Sequence, residues 1–357
     1  MNRKLQLRTL FGLTILAITF WTIQWLIHIK QDPDFGNVDT TYWIAALQKE
    51  SNGKTRSVVI KPDGTKLLSP GYTKSAEDQS LAWQNDGKRL FFISNRDRKA
   101  FDIYRWNPAR NIVERRTFDN RPKSGLSFPF LKNRDKGILV SGGSILEFDP
   151  KTGSMPQILP PLTADPKSLA FYQKRANRFL KARCIEEGKF MVALAKDENE
   201  NHHLMVQNLS SSSLPAIIAS GKWIDFHAHP LGKILYVIQD DDGLSRLFLF
   251  DSETGEKSLI YQSKNEDMTT PRLSPSMLYV AVKLASRRSL ALLSIQQRRL
   301  IHIVDQNPKD ASWHPYLDLL LYTKKNAIFT YDVLSKSEKR ITYDKVEYQL
   351  PLFSPAR

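Results

Sequence analysis

Three histidines and one tryptophan in the C-terminal half have types and a spacing that could support chemistry at one place. His227 and His229 are two residues apart in the segment FHAHPLGKILYVIQ (226–239). Because side chains alternate along a strand, both should face the same side of it. His314 follows Trp313 in the similar segment SWHPYLDLLLYT (312–323). Imidazoles gathered in this way could hold a metal ion or an anion.

A simpler interpretation of these histidines remains open. His229-Pro230 and His314-Pro315 stand where related segments have Ser274-Pro275 and Ser354-Pro355, so histidine can simply fill a turn position. Two histidines without a third ligand are also weak evidence for a metal site. We therefore assign no catalytic residue, no cofactor and no metal ligand, and we keep four candidates for lining a channel: His227, His229, Trp313 and His314.

Two polar runs are better explained as turns than as sites. His202-His203 lie in the run KDENENHHL, where we expect solvated turn residues. The run QDDDG (239–243) has carboxylates that could bind Ca²⁺, but it lacks the spaced ligand series of a calcium loop. We expect a tight turn there.

Several enzyme classes lack their signature in this chain. A serine peptidase of the propeller-plus-hydrolase kind would need a Gly-x-Ser-x-Gly elbow, and no such sequence occurs. No phosphate-binding Gly-x-x-x-x-Gly-Lys-Ser/Thr loop and no Gly-x-Gly-x-x-Gly fingerprint is present either. Whether the protein is an enzyme stays open, and a non-catalytic protein is the favoured interpretation.

The elements that would position these residues repeat along the chain. An apolar run, a turn containing a polar residue with Pro or Asp-Gly, and a strongly apolar run recur at 81–94, 126–142, 182–195, 226–239, 271–284 and 312–323, and the last residues, PLFSPAR, begin a seventh copy. Successive copies are 40 to 57 residues apart. A period of this length with four short strands is typical of a β-propeller blade.

The two ends of the chain predict how the ring closes. PLFSPAR would supply the innermost strand of a blade whose other strands come from residues 42–48, 55–61 and 65–69. We therefore predict an all-β fold, a seven-bladed β-propeller over residues 41–357 with terminal-strand closure. The longest interval contains the basic, Pro-rich segment 160–183, which we expect to be an insertion of partly helical character and a candidate contact region.

Blade two carries the resemblance to a known family. Its sequence WQNDGKRLFFISNRDRKAFDIYRWN (83–107) combines an Asp-Gly-Lys turn with Ser94-Asn95-Arg96-Asp97 and Asp102-Ile103-Tyr104. This pattern resembles the TolB-like propeller repeat, and the resemblance extends over about residues 41–357. It implies an extracytoplasmic propeller that docks peptides or proteins. Other propellers of this kind belong to peptidases or to metal-assisted polysaccharide lyases.

The first forty residues differ from the rest of the chain. Residues 10–29 contain no formally charged side chain and are long enough to cross a bilayer, and the tail before them carries Arg3, Lys4 and Arg8 without an acidic residue. We predict a cytoplasmic tail (1–9), a transmembrane signal anchor (10–29) and a linker (30–40). The protein would then be a single-pass membrane protein with its propeller outside the cytoplasm. A cleaved signal peptide is the alternative.

The charge of the chain bears on its partners. Among 357 residues, 52 Lys and Arg against 37 Asp and Glu give a net charge of +15, and residues 31–357 alone carry +11. Such a charge favours anionic neighbours, among them acidic proteins, anionic envelope polymers and lipid headgroups, while an extracytoplasmic location argues against nucleic acid. We expect a binding platform for a protein or peptide. The alternative is a propeller-type polysaccharide lyase or hydrolase with histidines or a metal in the channel.

Overall fold

Short runs rich in apolar, β-branched and aromatic residues, separated by turn residues, form strands throughout the chain. The structure is a computed structural model and describes residues 42–355 except 66, 72–75, 98, 130–134, 163–164, 212, 241 and 305–306, with only the backbone of Glu187. In this part of the chain the strands form seven antiparallel sheets of four strands each. The predicted all-β, seven-bladed β-propeller is therefore confirmed.

Each sheet is a meander, and we letter its strands a to d from the centre of the ring outwards. In chain order, the first strands are β1 (Ile44–Lys49), β2 (Thr55–Ile60), β3 (Leu67–Leu68), β4 (Asp78–Trp83), β5 (Leu90–Ser94), β6 (Asp102–Asn107), β7 (Ile112–Arg115), β8 (Ser124–Ser127), β9 (Gly137–Ser141), β10 (Ser144–Phe148), β11 (Gln157–Leu159), β12 (Arg178–Ile185), β13 (Phe190–Lys196) and β14 (His202–Asn208). They are followed by β15 (Ala216–Gly221), β16 (Trp223–Ala228), β17 (Lys233–Gln239), β18 (Ser245–Asp251), β19 (Lys257–Ser263), β20 (Met268–Leu273), β21 (Tyr279–Leu284), β22 (Ser289–Ser294), β23 (Arg299–Val304), β24 (Ala311–Trp313), β25 (Leu319–Lys324), β26 (Ala327–Asp332), β27 (Ser337–Arg340) and β28 (Glu347–Phe353). Blade 1 consists of β28, β1, β2 and β3, and blades 2 to 7 take the remaining strands four at a time, from β4–β7 to β24–β27.

The last strand of the chain completes the first blade. β28 pairs antiparallel with β1, with Phe353 opposite Ile44. Just beyond this pair, the N–H of Trp43 donates to Oγ of Ser354 over 3.0 Å, and the N–H of Ser354 donates to the carbonyl of Trp43 over 2.7 Å. The ring is thus closed by hydrogen bonds between residues about 300 positions apart, as the repeat predicted.

Packing between blades buries the middle strands on both faces. All residues of β5, β9 and β22 are buried, whereas all four residues of the outermost strand β27 are exposed. Blades 2 and 3, for example, meet through Phe91, whose ring centroid lies 4.8 Å from that of Phe128 and 5.7 Å from that of Phe148. This explains why the b strands read as continuous apolar runs rather than as alternating ones.

The meander gives the ring two distinct faces. Because successive strands run antiparallel, the turns between strands a and b all lie on one face, together with the c–d turns, and we call this the a–b face. The b–c turns and the connections between blades lie on the other, which we call the b–c face. In blade 2 the a–b turn depends on Gly87, which has a φ of +62°. A Cβ at this position would lie 2.5 Å from the carbonyl oxygen of Pro355, so there is no room for a side chain.

One helix, α1 (Pro166–Arg175), lies in the connection between blades 3 and 4. Asp165 caps it by accepting hydrogen bonds from the N–H groups of Lys167 and Ser168 over 2.9 and 3.0 Å. Its buried Tyr172 packs on the core between these blades. The helix lies inside the predicted insertion 160–183, but residues 178–183 are already part of β12.

The predictions for the N-terminal region concern residues 1–40, which lie outside the described residues. In the described part of the chain, no helix has the length and apolar character needed to cross a bilayer. This finding corrects the predicted localisation as a single-pass membrane protein with an extracytoplasmic propeller, and we do not retain that prediction.

Candidate functional site

Hydrogen bonds between neighbouring blades tie the wall of the central channel together. They join the a strands as follows: Trp83 Nε1 to the Leu352 carbonyl (3.3 Å), Trp313 Nε1 to the Arg272 carbonyl (3.0 Å), Ser312 Oγ to the Pro351 carbonyl (2.7 Å) and Arg183 Nη1 to the Gly125 carbonyl (3.0 Å). Because each bond joins two different blades, side chains on this wall are held by the ring rather than by a single hairpin.

Two arginines reach this channel close to the a–b face. Nη1 of Arg183 donates to the carbonyls of Gly125 and Ala182 over 3.0 and 2.7 Å, and Nη1 of Arg272 donates to the carbonyl of Pro271 over 3.0 Å. Among the described residues, neither guanidinium group forms an ion pair with a carboxylate within 4.0 Å. Their remaining N–H groups have no hydrogen-bond partner among the described residues.

The surroundings of both arginines are unfavourable for positive charge. Burial lowers the pKa of Arg183 to about 10, and the charge of Arg272 adds to that effect. Burial also lowers the pKa of Arg272, against the opposing influence of Asp225 and Asp310. Both groups remain charged at neutral pH. Each is therefore a cation whose charge is only partly balanced by its protein neighbours.

Lys181 and Asp225 form an ion pair between blades 4 and 5, next to the two arginines. Nζ of Lys181 lies 2.7 Å from Oδ1 of Asp225 and donates to the carbonyl of Phe226 over 2.6 Å. Burial lowers the pKa of Lys181 to about 8, although Asp225 opposes the shift. Burial would raise the pKa of Asp225, but Lys181 outweighs it and the pKa is lowered. The other oxygen of Asp225 accepts the N–H of Thr270 over 3.1 Å, so this carboxylate is fully engaged.

His227, one of the predicted channel candidates, lies on the innermost strand β16, two residues beyond Asp225. Its Nδ1 accepts the backbone N–H of Leu273 over 3.2 Å. Burial holds its pKa well below 6.5, and Arg272, Lys181 and Arg183 act in the same direction. The imidazole is therefore neutral at pH 7 with its proton on Nε2, which has no hydrogen-bond partner among the described residues.

The other two predicted histidines are parts of a–b turns. Nδ1 of His229 accepts the N–H of Leu231 over 3.3 Å, and Nδ1 of His314 accepts the N–H groups of Tyr316 and Leu317 over 3.2 and 3.0 Å. Both imidazoles are buried, which lowers the pKa of each to about 4. They occupy the same turn position as Ser274, whose Oγ accepts the N–H of Tyr279.

The fourth candidate, Trp313, is half-buried at the end of β24 and bonds blade 6 through its indole N–H. His227 and Trp313 thus lie on the innermost strands β16 and β24, whereas His229 and His314 lie in the a–b turns that follow these strands. Within the described residues, no group of three or more His, Cys, Asp or Glu side chains could hold a metal ion. The run QDDDG forms the b–c turn of blade 5, in which the N–H of Gly243 donates to the carbonyl of Asp240 over 3.1 Å.

The expectation for His202 and His203 was wrong, because both are buried at the start of β14. His203 joins Oδ2 of Asp197 through Nε2 over 3.0 Å and Oγ of Ser220 through Nδ1 over 2.8 Å. Burial would raise the pKa of Asp197, but hydrogen bonds from His203 and Asn201 lower it to about 2. These residues line a cavity of about 620 Å³ on the b–c face. Their bonds tie a b–c turn to the outer strand of blade 4, which is a structural role.

Three exposed apolar side chains lie on the a–b face of the ring. Leu231, Leu278 and Tyr316 lie in the a–b turns of the consecutive blades 5, 6 and 7, and they are 62%, 51% and 52% exposed. Arg183, His227 and Arg272 lie within the last three residues of the a strands that lead into a–b turns. We call Lys181, Arg183 and Arg272 the cationic wall, and Leu231, Leu278 and Tyr316 the apolar rim. Both lie toward the a–b mouth of the channel.

Comparisons with known proteins identify the fold and nothing more specific. No family model matches the chain, and no curated protein matches its sequence. TolB from Acinetobacter baumannii is 15% identical with a TM-score of 0.53; the match covers 75% of this chain and 65% of the TolB chain, less than two thirds of its length. Oligogalacturonate lyase from Vibrio parahaemolyticus is 10% identical with a TM-score of 0.57, over 84% of each chain. A chain of the Mitotic Checkpoint Complex is 12% identical with a TM-score of 0.56, over 85% of this chain and 87% of its own.

At such identities the likeness shows the β-propeller fold alone. The resemblance to TolB-like propellers is confirmed at this level, since two TolB structures are among the similar ones.

Proposed function

We propose that this chain is a non-catalytic propeller that binds a protein or a peptide on its a–b face, across the mouth of the central channel. The observation that carries this proposal is the position of unpaired guanidinium donors inside the mouth and of exposed apolar side chains on its rim. Such a combination of charged donors and apolar surface suits an amino-acid chain. Loops and turns on a rigid ring are a common way to present such contacts.

Two further observations support a binding role. The chain has an excess of 15 positive charges, which favours an acidic partner and speeds its encounter. One of the similar structures, the Mitotic Checkpoint Complex, is an assembly of proteins, so this architecture is used as a binding module elsewhere.

The enzymatic alternative lacks a comparable observation. It depends on a group of channel histidines, yet His229 and His314 each use Nδ1 inside their own turn, whereas Nδ1 of His227 bonds the neighbouring blade. The similarity to oligogalacturonate lyase, at 10% identity, concerns the fold. We therefore develop the binding role alone.

Selection of displayed random peptides on the purified propeller tests this role. We expect selected peptides to lose binding at least about tenfold in the triple variant Leu231→Ser, Leu278→Ser, Tyr316→Ser. The matched control is Leu162→Ser, an apolar side chain that is 80% exposed in the connection on the b–c face. Failure to select any peptide, or selected peptides that bind the triple variant as tightly as the parent protein, would contradict the proposal.

A further inference from the structure

The a strands of three consecutive blades bring three hydrogen-bond donors to the same depth of the channel. Arg183 is two residues before the end of β12, and His227 and Arg272 are each one residue before the end of β16 and β20. Hydrogen bonds from Lys181 Nζ and from the N–H of Thr270 to the carboxylate of Asp225, over 2.7 and 3.1 Å, join the three strands at one level. Arg183, His227 and Arg272 are each two residues further along these strands, so they lie next to one another. The structure thus holds two guanidinium forks and one imidazole N–H around the same space.

The charges at this depth do not balance. Lys181, Arg183 and Arg272 contribute three positive charges, and the carboxylate of Asp225 is committed to Lys181 and to a backbone N–H. Asp310 acts on Arg272 from a distance while it accepts the N–H of Leu350 over 3.0 Å. Neighbouring like charges in a partly desolvated wall are unfavourable, and a bound anion would relieve them.

The contacts of the arginines indicate which anion fits. Each guanidinium uses Nη1 for backbone carbonyls, and its other N–H groups have no partner among the described residues. A planar fork of parallel N–H donors matches the two oxygens of a carboxylate. The apolar rim formed by Leu231, Leu278 and Tyr316 favours a carboxylate on a chain that also has apolar groups, which a peptide provides and a repeating polyanion does not.

We propose that Arg183 and Arg272 bind the side-chain carboxylate of an acidic residue in the bound peptide, with the Nε2–H of His227 as a third donor. This inference rests on the proposed function and adds the chemical group that the site recognises. The Lys181–Asp225 pair borders the site and supplies a second layer of positive charge.

The test uses two synthetic libraries of short fluorescent peptides built from Leu, Tyr, Ser and Gly, amidated at the C-terminus. One library has a single Glu and the other has Gln at the same position. We expect the Glu library to bind the propeller about tenfold more tightly than the Gln library at low ionic strength. Arg272→Gln should remove this preference, and Arg272→Lys, which keeps the charge without the fork, should retain only part of it.

Arg175→Gln is the matched control, because Arg175 lies at the end of α1 on the b–c face, and it should leave the preference intact. Thermal unfolding of each variant checks that it folds, and Arg183→Gln provides a second test if Arg272→Gln does not fold.

The outcomes separate this inference from the proposed function. Equal binding of the two libraries, with both lost in the triple rim variant, overturns the carboxylate site and leaves peptide binding in place. If neither library nor any selected peptide binds, the proposed function itself fails. Binding of heparin that depends on Arg272, without binding of Glu peptides, would replace the peptide by a polyanion and overturn the inference. A third library, with Gln at the same position and a free C-terminal carboxylate, is the remaining control. If only this library binds tightly, the assignment to an acidic side chain is overturned.

Discussion

The backbone N–H of Leu273 in blade 6 donates to Nδ1 of His227 in blade 5 over 3.2 Å. This one hydrogen bond joins two blades and also fixes the proton of the neutral imidazole on Nε2, toward the channel. Trp313 joins the next two blades in a similar way, because its indole N–H in blade 7 donates to the carbonyl of Arg272 in blade 6. The contacts that hold the ring together therefore also orient the proposed binding groups.

Binding of Glu-containing peptides should weaken as the pH rises from 7 to 9. The pKa of Lys181 is about 8, so this residue loses its charge in that range, while Arg183 and Arg272 keep theirs. We expect the dissociation constant to rise by about threefold to tenfold, measured by fluorescence anisotropy. In Lys181→Arg the charge persists and the curve should be flat. Identical curves for the two proteins would exclude Lys181 as the titrating group.

The ion pair between Lys181 and Asp225 should be important for stability. Asp225→Asn removes the partner of the buried Lys181 amine beside two arginines, and we expect it to reduce the free energy of unfolding by about 2 kcal/mol. Addition of Lys181→Met to that variant should recover at least half of the loss, because it replaces the buried amine that has lost its partner by an apolar side chain. Chemical denaturation of the single and double variants measures both effects.

The exposed pair of Lys151 and Asp135, with 3.3 Å between Nζ and Oδ2, is the control for this cycle. Asp135→Asn should change the free energy of unfolding by less than about 1 kcal/mol. If Asp225→Asn changes the free energy of unfolding as little as Asp135→Asn does, Asp225 does not stabilise the cationic wall and this prediction is wrong.

Closure of the ring through β28 should make a single side chain of this strand, that of Phe353, important for stability. Phe353 is 3% exposed and its ring centroid lies 5.0 Å from that of His314 in blade 7. Phe353→Ala should lower the free energy of unfolding by about 3 kcal/mol, since it opens a cavity where blades 1 and 7 meet. Leu334→Ala, at a side chain 80% exposed, should change it by less than about 0.5 kcal/mol. A change of that small size for Phe353→Ala would show that the C-terminal strand does not complete blade 1.

The network of Asp197 and His203 should stabilise the propeller above pH 4 and less below it. The pKa of Asp197 is about 2 in the folded chain against an ordinary value of 3.8, so its contribution is complete above 3.8 and is lost as the pH falls toward 2. Asp197→Asn should cost about 1–2 kcal/mol at pH 7, with a difference from the parent protein that shrinks over this range. Asp242→Asn, in the corresponding turn of blade 5, should have little effect at any pH. A difference that does not depend on pH would contradict this role.

The repeat pattern was sufficient for the fold because it rests on local chemistry. The apolar b strands and the turns between them recur in each blade, and the last strand, β28, completes the first blade as the repeat predicted. The histidines before Pro230 and Pro315 replace serine in such turns, so their position could be read from the alignment of repeats.

The cationic wall could not be predicted from the repeat pattern. Lys181 and Arg183 were counted with the basic segment 160–183, whereas they belong to β12, the innermost strand of blade 4. Arg272 is about 90 residues away in the sequence, and only the closed ring brings it next to them. His203 was misjudged because its partners, Asp197 and Ser220, lie on a turn and on another strand.

Hydrogen–deuterium exchange with and without a Glu-containing peptide tests the central claim most directly. We predict slower exchange in the a–b turns of blades 5 to 7, at residues 229–232, 274–278 and 314–317, and unchanged exchange in the b–c turns at residues 197–201 and 242–244. Protection of the b–c turns instead, or no protection at a peptide concentration that saturates binding, would contradict a partner site at the a–b mouth of the channel.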